Sequence, residues 1–307
     1  MDRRDFLKKS ILFGATAGAA QSLGRYSNLF ATERNITPKS YDLVAIKGGE
    51  PQAMFDRAIE SLGGMKSFVK KGQTVVLKPN IGWDVPPEIA GNTNPLLVKQ
   101  IINHCFNAGA KDVYVFDHTC EYWKKCYSNS GIERAVKEAG GKIVSGDSEG
   151  YYHDVEVKSG STLKNAKVHE LILNSDVFIN VPVLKHHSSA GITIGMKNLM
   201  GIVWDRGFWH QNDLHKCIAD FASYRKPNLT IVDAYNVMKR NGPRGVSKED
   251  VVTMKSLLIS RDIVAIDAAA AKLFGTEPEK VDYIRIANEM KLGVMDLNKL
   301  SINRIIM

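Results

Sequence analysis

Four apolar runs in the sequence end in side chains that bind anions or carry protons. Thr74-Val75-Val76-Leu77 leads into Lys78-Pro79-Asn80, and Val113-Tyr114-Val115-Phe116 into Asp117-His118-Thr119. Val177-Phe178-Ile179-Asn180-Val181-Pro182 leads into Leu184-Lys185-His186-His187, and Leu229-Thr230-Ile231-Val232 into Asp233. An ammonium group at the end of a buried strand is costly to desolvate alone, so two such lysines and two carboxylates read as one mutually compensating cluster. In this reading Lys78 and Lys185 bind or polarise an anionic substrate, while Asp117 and Asp233 act as acid, base or metal ligand. Crowding among cations lowers a lysine's pKa and turns it toward a base.

Further polar residues extend the set. Lys197 and Asn198 add a cationic donor and an amide suited to a carboxylate or phosphate. Gly191 and Gly195 leave backbone N–H groups approachable at the start of a short helix expected over Ile192–Val203. Asn80 follows the Thr74–Lys78 run, and Arg244 in the turn Gly242-Pro243-Arg244-Gly245 lies close to the Asp233 strand end. His186 and His187 are adjacent, so in extended chain they point to opposite sides and at most one faces the site; His186 is taken as the substrate-binding one. With Asp117, the histidines His118 and His186 are weak candidates for a metal site, since no spaced pair such as H-x-x-x-H fixes one; a divalent metal stays open.

These residues need a scaffold that gathers strand ends. β-like runs at Asp42–Ile46, Thr74–Lys78, Val113–Asp117, Val177–Pro182, Leu229–Asp233 and Ser256–Ser260 alternate with helix-period stretches at Pro51–Leu62, Pro95–Ala108, Ser130–Ala139, Asp213–Tyr224, Ile263–Phe274 and Lys280–Met290. In Asp213–Tyr224 the residues Leu214, Cys217, Ile218 and Phe221 form one apolar stripe. Continuous Val/Ile/Leu runs imply strands buried on both faces, hence an α/β fold: a mostly parallel sheet with helices on both faces. Tyr151–Ile172 alternates polar and apolar residues and predicts a small antiparallel insertion, and residues 292–307 read as a C-terminal tail. In such sheets ligands bind at the carboxyl edge, where all four polar ends would meet.

Several chemistries are excluded by their missing signatures. No G-x-G-x-x-G follows a strand, and there is no G-x-x-x-x-G-K-[ST] and no G-x-S-x-G. Cys105, Cys120, Cys126 and Cys217 match no zinc or iron–sulfur spacing; Cys105 and Cys217 read as buried core thiols, while Cys120 and Cys126 are close enough to pair.

The order of these motifs resembles the DUF362 family. The resemblance rests on Val76-Leu77-Lys78-Pro79-Asn80, Asn94-Pro95, Ala108-Gly109-Ala110-Lys111-Asp112-Val113, and Ile179 through His187. It continues through Thr193, Met196-Lys197-Asn198-Leu199-Met200-Gly201, Ile231-Val232-Asp233-Ala234, Asn241-Gly242-Pro243 and Asp262 through Ala268. It covers most of the chain from Asp42 to Phe274, within a domain expected over 42–291, and places Thr193 with the substrate-binding residues. The family carries no established chemistry. Some relatives bear ferredoxin-like iron–sulfur modules, which implies redox company; this chain lacks that module. Two functions are therefore carried forward: an enzyme acting on a small anionic substrate, or a non-catalytic accessory protein for a redox partner or for cofactor maturation.

Residues 1–31 stand apart. Arg3-Arg4 followed by Phe6-Leu7-Lys8 and a short Gly/Ala-rich apolar stretch resembles a twin-arginine export signal, too short for a membrane span, with cleavage after Ala20 or near Ala31. This predicts a periplasmic or extracytoplasmic protein with no transmembrane span in the mature chain. Of the net +8 over 307 residues, the remainder after residue 31 keeps +5, from 36 basic against 31 acidic residues. That charge is scattered rather than clustered, which argues against nucleic acid and suits a small anionic partner.

Overall fold

The computed structural model describes residues 40–307; the twin-arginine segment lies outside the described residues. The chain runs β1 (Leu43–Lys47), α1 (Pro51–Glu60), β2 (Thr74–Pro79), α2 (Pro95–Asn107), β3 (Asp112–Val115), α3 (Trp123–Asn129), α4 (Ile132–Glu138) and β4 (Lys142–Ile143). Next come β5 (Tyr152–Glu156), β6 (Asn165–His169), α5 (Glu170–Asn174), β7 (Val177–Val181), β8 (Val183–His187), β9 (Gly191–Thr193), α6 (Gly195–Asn198), α7 (Gly207–Gln211) and α8 (Leu214–Tyr224). The last third adds β10 (Leu229–Met238), β11 (Val251–Ser260), α9 (Ile263–Phe274), α10 (Asp282–Glu289) and β12 (Ile302–Ile306).

The main sheet has the order β12-β1-β11-β10-β7-β2-β3-β4, with β8 beside β10 and β9 beside β8. Its pairings are parallel except those of β11 with β1 and β10 and of β9 with β8. The carboxyl ends of β2, β3, β7 and β10 therefore share one edge. Pro182 divides what would be one long strand into β7 and β8, because it cannot donate to the ladder, while its carbonyl still accepts from Asp233 N at 2.9 Å. β5 and β6 form the separate antiparallel pair expected from the alternation.

Period-two strands divide the core between two faces. On one face Val76, Phe178, Val232 and Leu258 pack with Ile218, Phe221, Val264 and Ile284 of α8, α9 and α10. On the other, Val75, Leu77, Ile179, Ile231 and Ile259 pack with Phe55 of α1, Val98 and Ile101 of α2, and Val136 of α4. Each such fully buried side chain contributes roughly 1.5–3 kcal/mol relative to exposure, so both helical layers are held by the same strands that carry the polar ends. Local signals set the helix starts: Asn94 caps α2 by accepting from Leu96 N, with Pro95 at the first helical position, and Asp262 caps α9 by accepting from Val264 N and Ala265 N.

Two local expectations change. Residues 292–307 are not a tail outside the sheet, since β12 adds a parallel strand to β1 and forms its edge. The helix expected over Ile192–Val203 starts as strand: β9 turns back on β8, α6 begins only at Gly195, and a 3₁₀ turn covers Leu199–Ile202. Among the described residues no helix is long and apolar enough to cross a membrane.

Candidate functional site

Lys78, next to last in β2, is 1% exposed. Its ammonium donates to Asn198 Oδ1 at 2.7 Å and lies 3.0 Å from Asp117 Oδ1. Asp117 Oδ1 is buried with the Lys78 ammonium as its ion-pair partner, while Oδ2 accepts from Ile81 N at 2.7 Å. Asn198 anchors a chain of side-chain amides. Its Oδ1 also accepts from Asn80 Nδ2 at 3.0 Å, its Nδ2 donates to Asn180 Oδ1 at 2.9 Å, and Asn180 Nδ2 donates to Gly195 O at 3.0 Å. Asp267 of α9 clamps the start of α6 by accepting from Gly195 N and Met196 N, at 2.7 and 2.9 Å. Gly201 closes over the ion pair: a Cβ there would fall 1.8 Å from Asp117 Oδ1 and 2.6 Å from Lys78 Nζ, so only glycine fits.

Lys185 of β8 is also 1% exposed, but among the described residues its ammonium meets only neutral acceptors, Gly91 O at 2.6 Å and Asn80 Oδ1 at 3.2 Å. Desolvation pushes its pKa down to about 7, and Lys197 and Lys78 add repulsion. Lys197, which keeps some exposure, is pushed down to about 8, again mainly by desolvation, with Arg206 and Lys78 opposing its charge. Lys78 is also lowered by burial, and the adjacent Asp117 opposes that shift. One carboxylate thus faces several cations.

These groups surround a recess of about 60 Å³ walled by Lys78, Asn80, Asp117, Lys185, Thr193 and Asn198. The recess opens into a cleft of about 880 Å³, and Trp83, His118, Cys120, His187, Lys197 and Arg206 border both. The Thr193 hydroxyl is buried and has no hydrogen-bond partner among the described residues. Trp83 lies 6.0 Å from the Lys185 ammonium, ring centre to nitrogen. Arg206 is fixed by donating to the carbonyls of His118 and Thr119, both at 2.9 Å, and touches Cys120 Sγ at 3.7 Å.

Lys78, Asn80, Asp117, Lys185, Thr193, Lys197 and Asn198 therefore come together, whereas Asp233, His186 and Arg244 do not border the recess. The Asp233 carboxylate is spent on backbone, accepting from Asn94 N at 2.7 Å and Tyr235 N at 3.1 Å, so it steadies the start of α2; burial raises its pKa to about 6. His186 faces away from Lys185 and His187, as strand alternation requires, and its Nδ1 accepts from Gly242 N at 3.1 Å. Of the adjacent pair, His187 is the one at the site. Arg244 is exposed and ion-paired with Glu121 at 2.7 Å. Among the described residues no group of three His, Cys, Asp or Glu side chains converges as a metal site, and His186 borders neither the recess nor the cleft that His118 lines. All four cysteines are free thiols, with Cys120 exposed and the other three buried. Asn180, His187, Cys120 and Arg206 were not singled out from sequence as binding residues. For Asn180 the signal was an amide inside an otherwise apolar buried strand; for His187 it was its position two residues from Lys185.

Among solved structures, the chain is similar to the lactate racemase apoprotein from Thermoanaerobacterium thermosaccharolyticum, with a TM-score of 0.45 and 13% identity over 73% of this chain and 55% of that one. It is similar also to a Thermotoga maritima protein, with a TM-score of 0.49 and 13% identity over 78% of this chain and 60% of that one. The chain thus spans a little over half the length of either. In sequence it is 25% identical over 263 residues to a thylakoid-associated protein of Synechocystis sp. (strain ATCC 27184 / PCC 6803 / Kazusa), covering 81% of this chain and 77% of the relative. Residues 75–272, which carry every lysine and amide of the recess, match the model described as "Domain of unknown function (DUF362)", and the chain belongs to that family.

Proposed function

We propose that the recess binds the anionic head of a small molecule, a carboxylate or phosphate, and that the chain is an enzyme acting on that molecule in the adjoining cleft. The observation that carries this reading is Lys185, a buried ammonium with hydrogen bonds to neutral acceptors alone, beside Lys197 and a Lys78 already paired with Asp117. A bound anion would supply the missing countercharge, and the cost of burying Lys185 would then be offset by binding. The recess has the scale of one carboxylate or phosphate group, and the larger cleft leaves room for the rest of the molecule. Titration calorimetry with inorganic phosphate and with acetate tests the reading: at least one should bind near pH 6, and Lys185→Met should abolish binding while the far-UV spectrum stays unchanged. Equal affinity in wild type and Lys185→Met, or no binding of either anion, would overturn it.

We also propose that residues 1–31 direct export by the twin-arginine route. The motive is Arg3-Arg4 ahead of a short apolar stretch. Changing both arginines to lysine should leave the protein in the cytoplasm in a fractionation experiment, and unchanged export would refute the assignment.

A further inference from the structure

The two histidines that border both recess and cleft carry their ring protons on opposite nitrogens. His118 Nδ1 lies 3.0 Å from the carbonyl of Val203, which can only accept, so Nδ1 bears the proton and Nε2 is bare. His187 is the reverse: its Nδ1 accepts from Ser189 N and Ala190 N, both at 3.2 Å, so the proton sits on Nε2. Neither Nε2 hydrogen-bonds to another described residue. Stacking on Trp204, at 4.9 Å and 3° between ring planes, holds the His118 ring in orientation. Burial lowers the pKa of both, that of His187 to about 2 with Lys197 and Lys185 adding repulsion, so both rings are neutral at pH 7. Among the described residues no hydroxyl or thiol hydrogen-bonds to either ring, so neither is set to activate a side-chain nucleophile there.

We propose that His118 and His187 form the acid–base pair of the cleft, acting on the carbon next to a carbonyl of the anionic ligand. The inference rests on the anion-site reading above and deepens it. With the carboxylate head in the recess, His118 Nε2 takes the proton as the C–H bond breaks. The electron pair moves into the carbonyl, and His187 Nε2–H donates a hydrogen bond to the enolate oxygen. Return of a proton from His118 to the carbon restores the ligand with a hydrogen drawn from solvent. No oxidant or reductant enters the step. The ligand class is a small 2-oxo acid or a similar carbonyl-bearing carboxylate.

The probe is pyruvate in D₂O at neutral pD, with loss of the methyl proton signal followed by NMR and binding measured separately by calorimetry. Wild-type protein should exchange the methyl protons faster than buffer alone. His118→Gln should slow that exchange by about 100-fold or more, the scale of a lost general base, and His187→Phe by about 100-fold, the scale of a lost oxyanion donor, with pyruvate affinity kept. Pyruvate that binds without exchange, or exchange unchanged in both variants, overturns the acid–base pair and leaves the anion site standing. Pyruvate that does not bind overturns the acid–base pair, and the anion site falls with it only where inorganic phosphate and acetate also fail to bind. A measurement on unaltered protein guards against misfolded variants: ¹⁵N imidazole spectra should show His118 protonated at Nδ1 and His187 at Nε2, and the opposite tautomer at either ring refutes the proposal.

Discussion

Replacing Lys185 with Met keeps most of the side-chain volume and removes the one fully buried ammonium of the recess that lacks a carboxylate partner. Displacement of its pKa from 10.5 to about 7 corresponds to about 5 kcal/mol against the charged form in the folded protein. Between pH 7 and 10.5 the unfolded chain holds this proton and the folded chain does not, so the group's contribution to stability rises with pH across that window. Below pH 7 both states are charged and the penalty is constant. Lys185→Met lacks this slope, and it also loses the hydrogen bonds to Gly91 O and Asn80 Oδ1, a constant offset of about 1–3 kcal/mol. The stability of the variant minus that of wild type should therefore fall by about 1.4 kcal/mol per pH unit above pH 7, the variant being favoured most at pH 6. Urea unfolding of both proteins at pH 6, 7, 8 and 9 measures the difference, in which the titrating groups that do not interact with Lys185 cancel. A difference independent of pH would mean that Lys185 is charged throughout and hydrated, and the reasoning about an uncompensated buried ammonium would fail.

Three further outcomes are expected. Anion affinity should fall about tenfold per pH unit above pH 7, because binding raises the Lys185 pKa and so takes up a proton; calorimetry in buffers of different ionisation enthalpy should register that uptake. Gly201→Ala should destabilise the fold by about 1–3 kcal/mol, since the added methyl meets Asp117 Oδ1 and Lys78, and a thermal-melt shift near zero would refute the close approach. In native protein a disulfide reagent should titrate one thiol rapidly, that of Cys120, while Cys105 and Cys126, with thiols pushed up to about 12, and Cys217, at about 11, react only on unfolding.

The sheet is legible because its strands are apolar on both faces, a pattern short enough to read without tertiary information: all six expected strands recur, with edges shifted by a residue or two or extended, as Leu229–Met238 is past Asp233 and Val251–Ser260 is ahead of Ser256. β12 escapes because an edge strand has one partner and needs no continuous apolar run; four of its residues are half-buried and Ile306 is exposed. The recess was legible in its lysines because charge at the end of a buried strand is costly and so conspicuous. It was misread at Asp233, because the same rule does not say whether a carboxylate faces a ligand or caps backbone N–H groups, and here it caps. Alternation along β8 places His187, and not the expected His186, on the side of Lys185. Arg206 carries no local signal, since it arrives from the segment before α7 and is fixed by carbonyls distant in sequence.

The lysines differ in what they have left to offer. Lys78 spends its ammonium on Asp117 and on Asn198, and Asn198 is itself held by Asn80 and Asn180, so Lys78 is a fixed part of the wall. An ammonium so paired has little to gain from a second anion, because the first has already met its desolvation cost. Lys185 has the opposite balance. Its acceptors are dipoles, a carbonyl and an amide, which orient the ammonium without neutralising it. A charge held in place by neutral groups in a water-poor recess gains more from an arriving anion than either a paired lysine or a solvated one, since low effective dielectric strengthens the new contact and no existing ion pair must break. The clamp of Asp267 on α6 serves the same end from a distance, because it holds Lys197 and Asn198 at the rim without adding a second carboxylate to the recess itself.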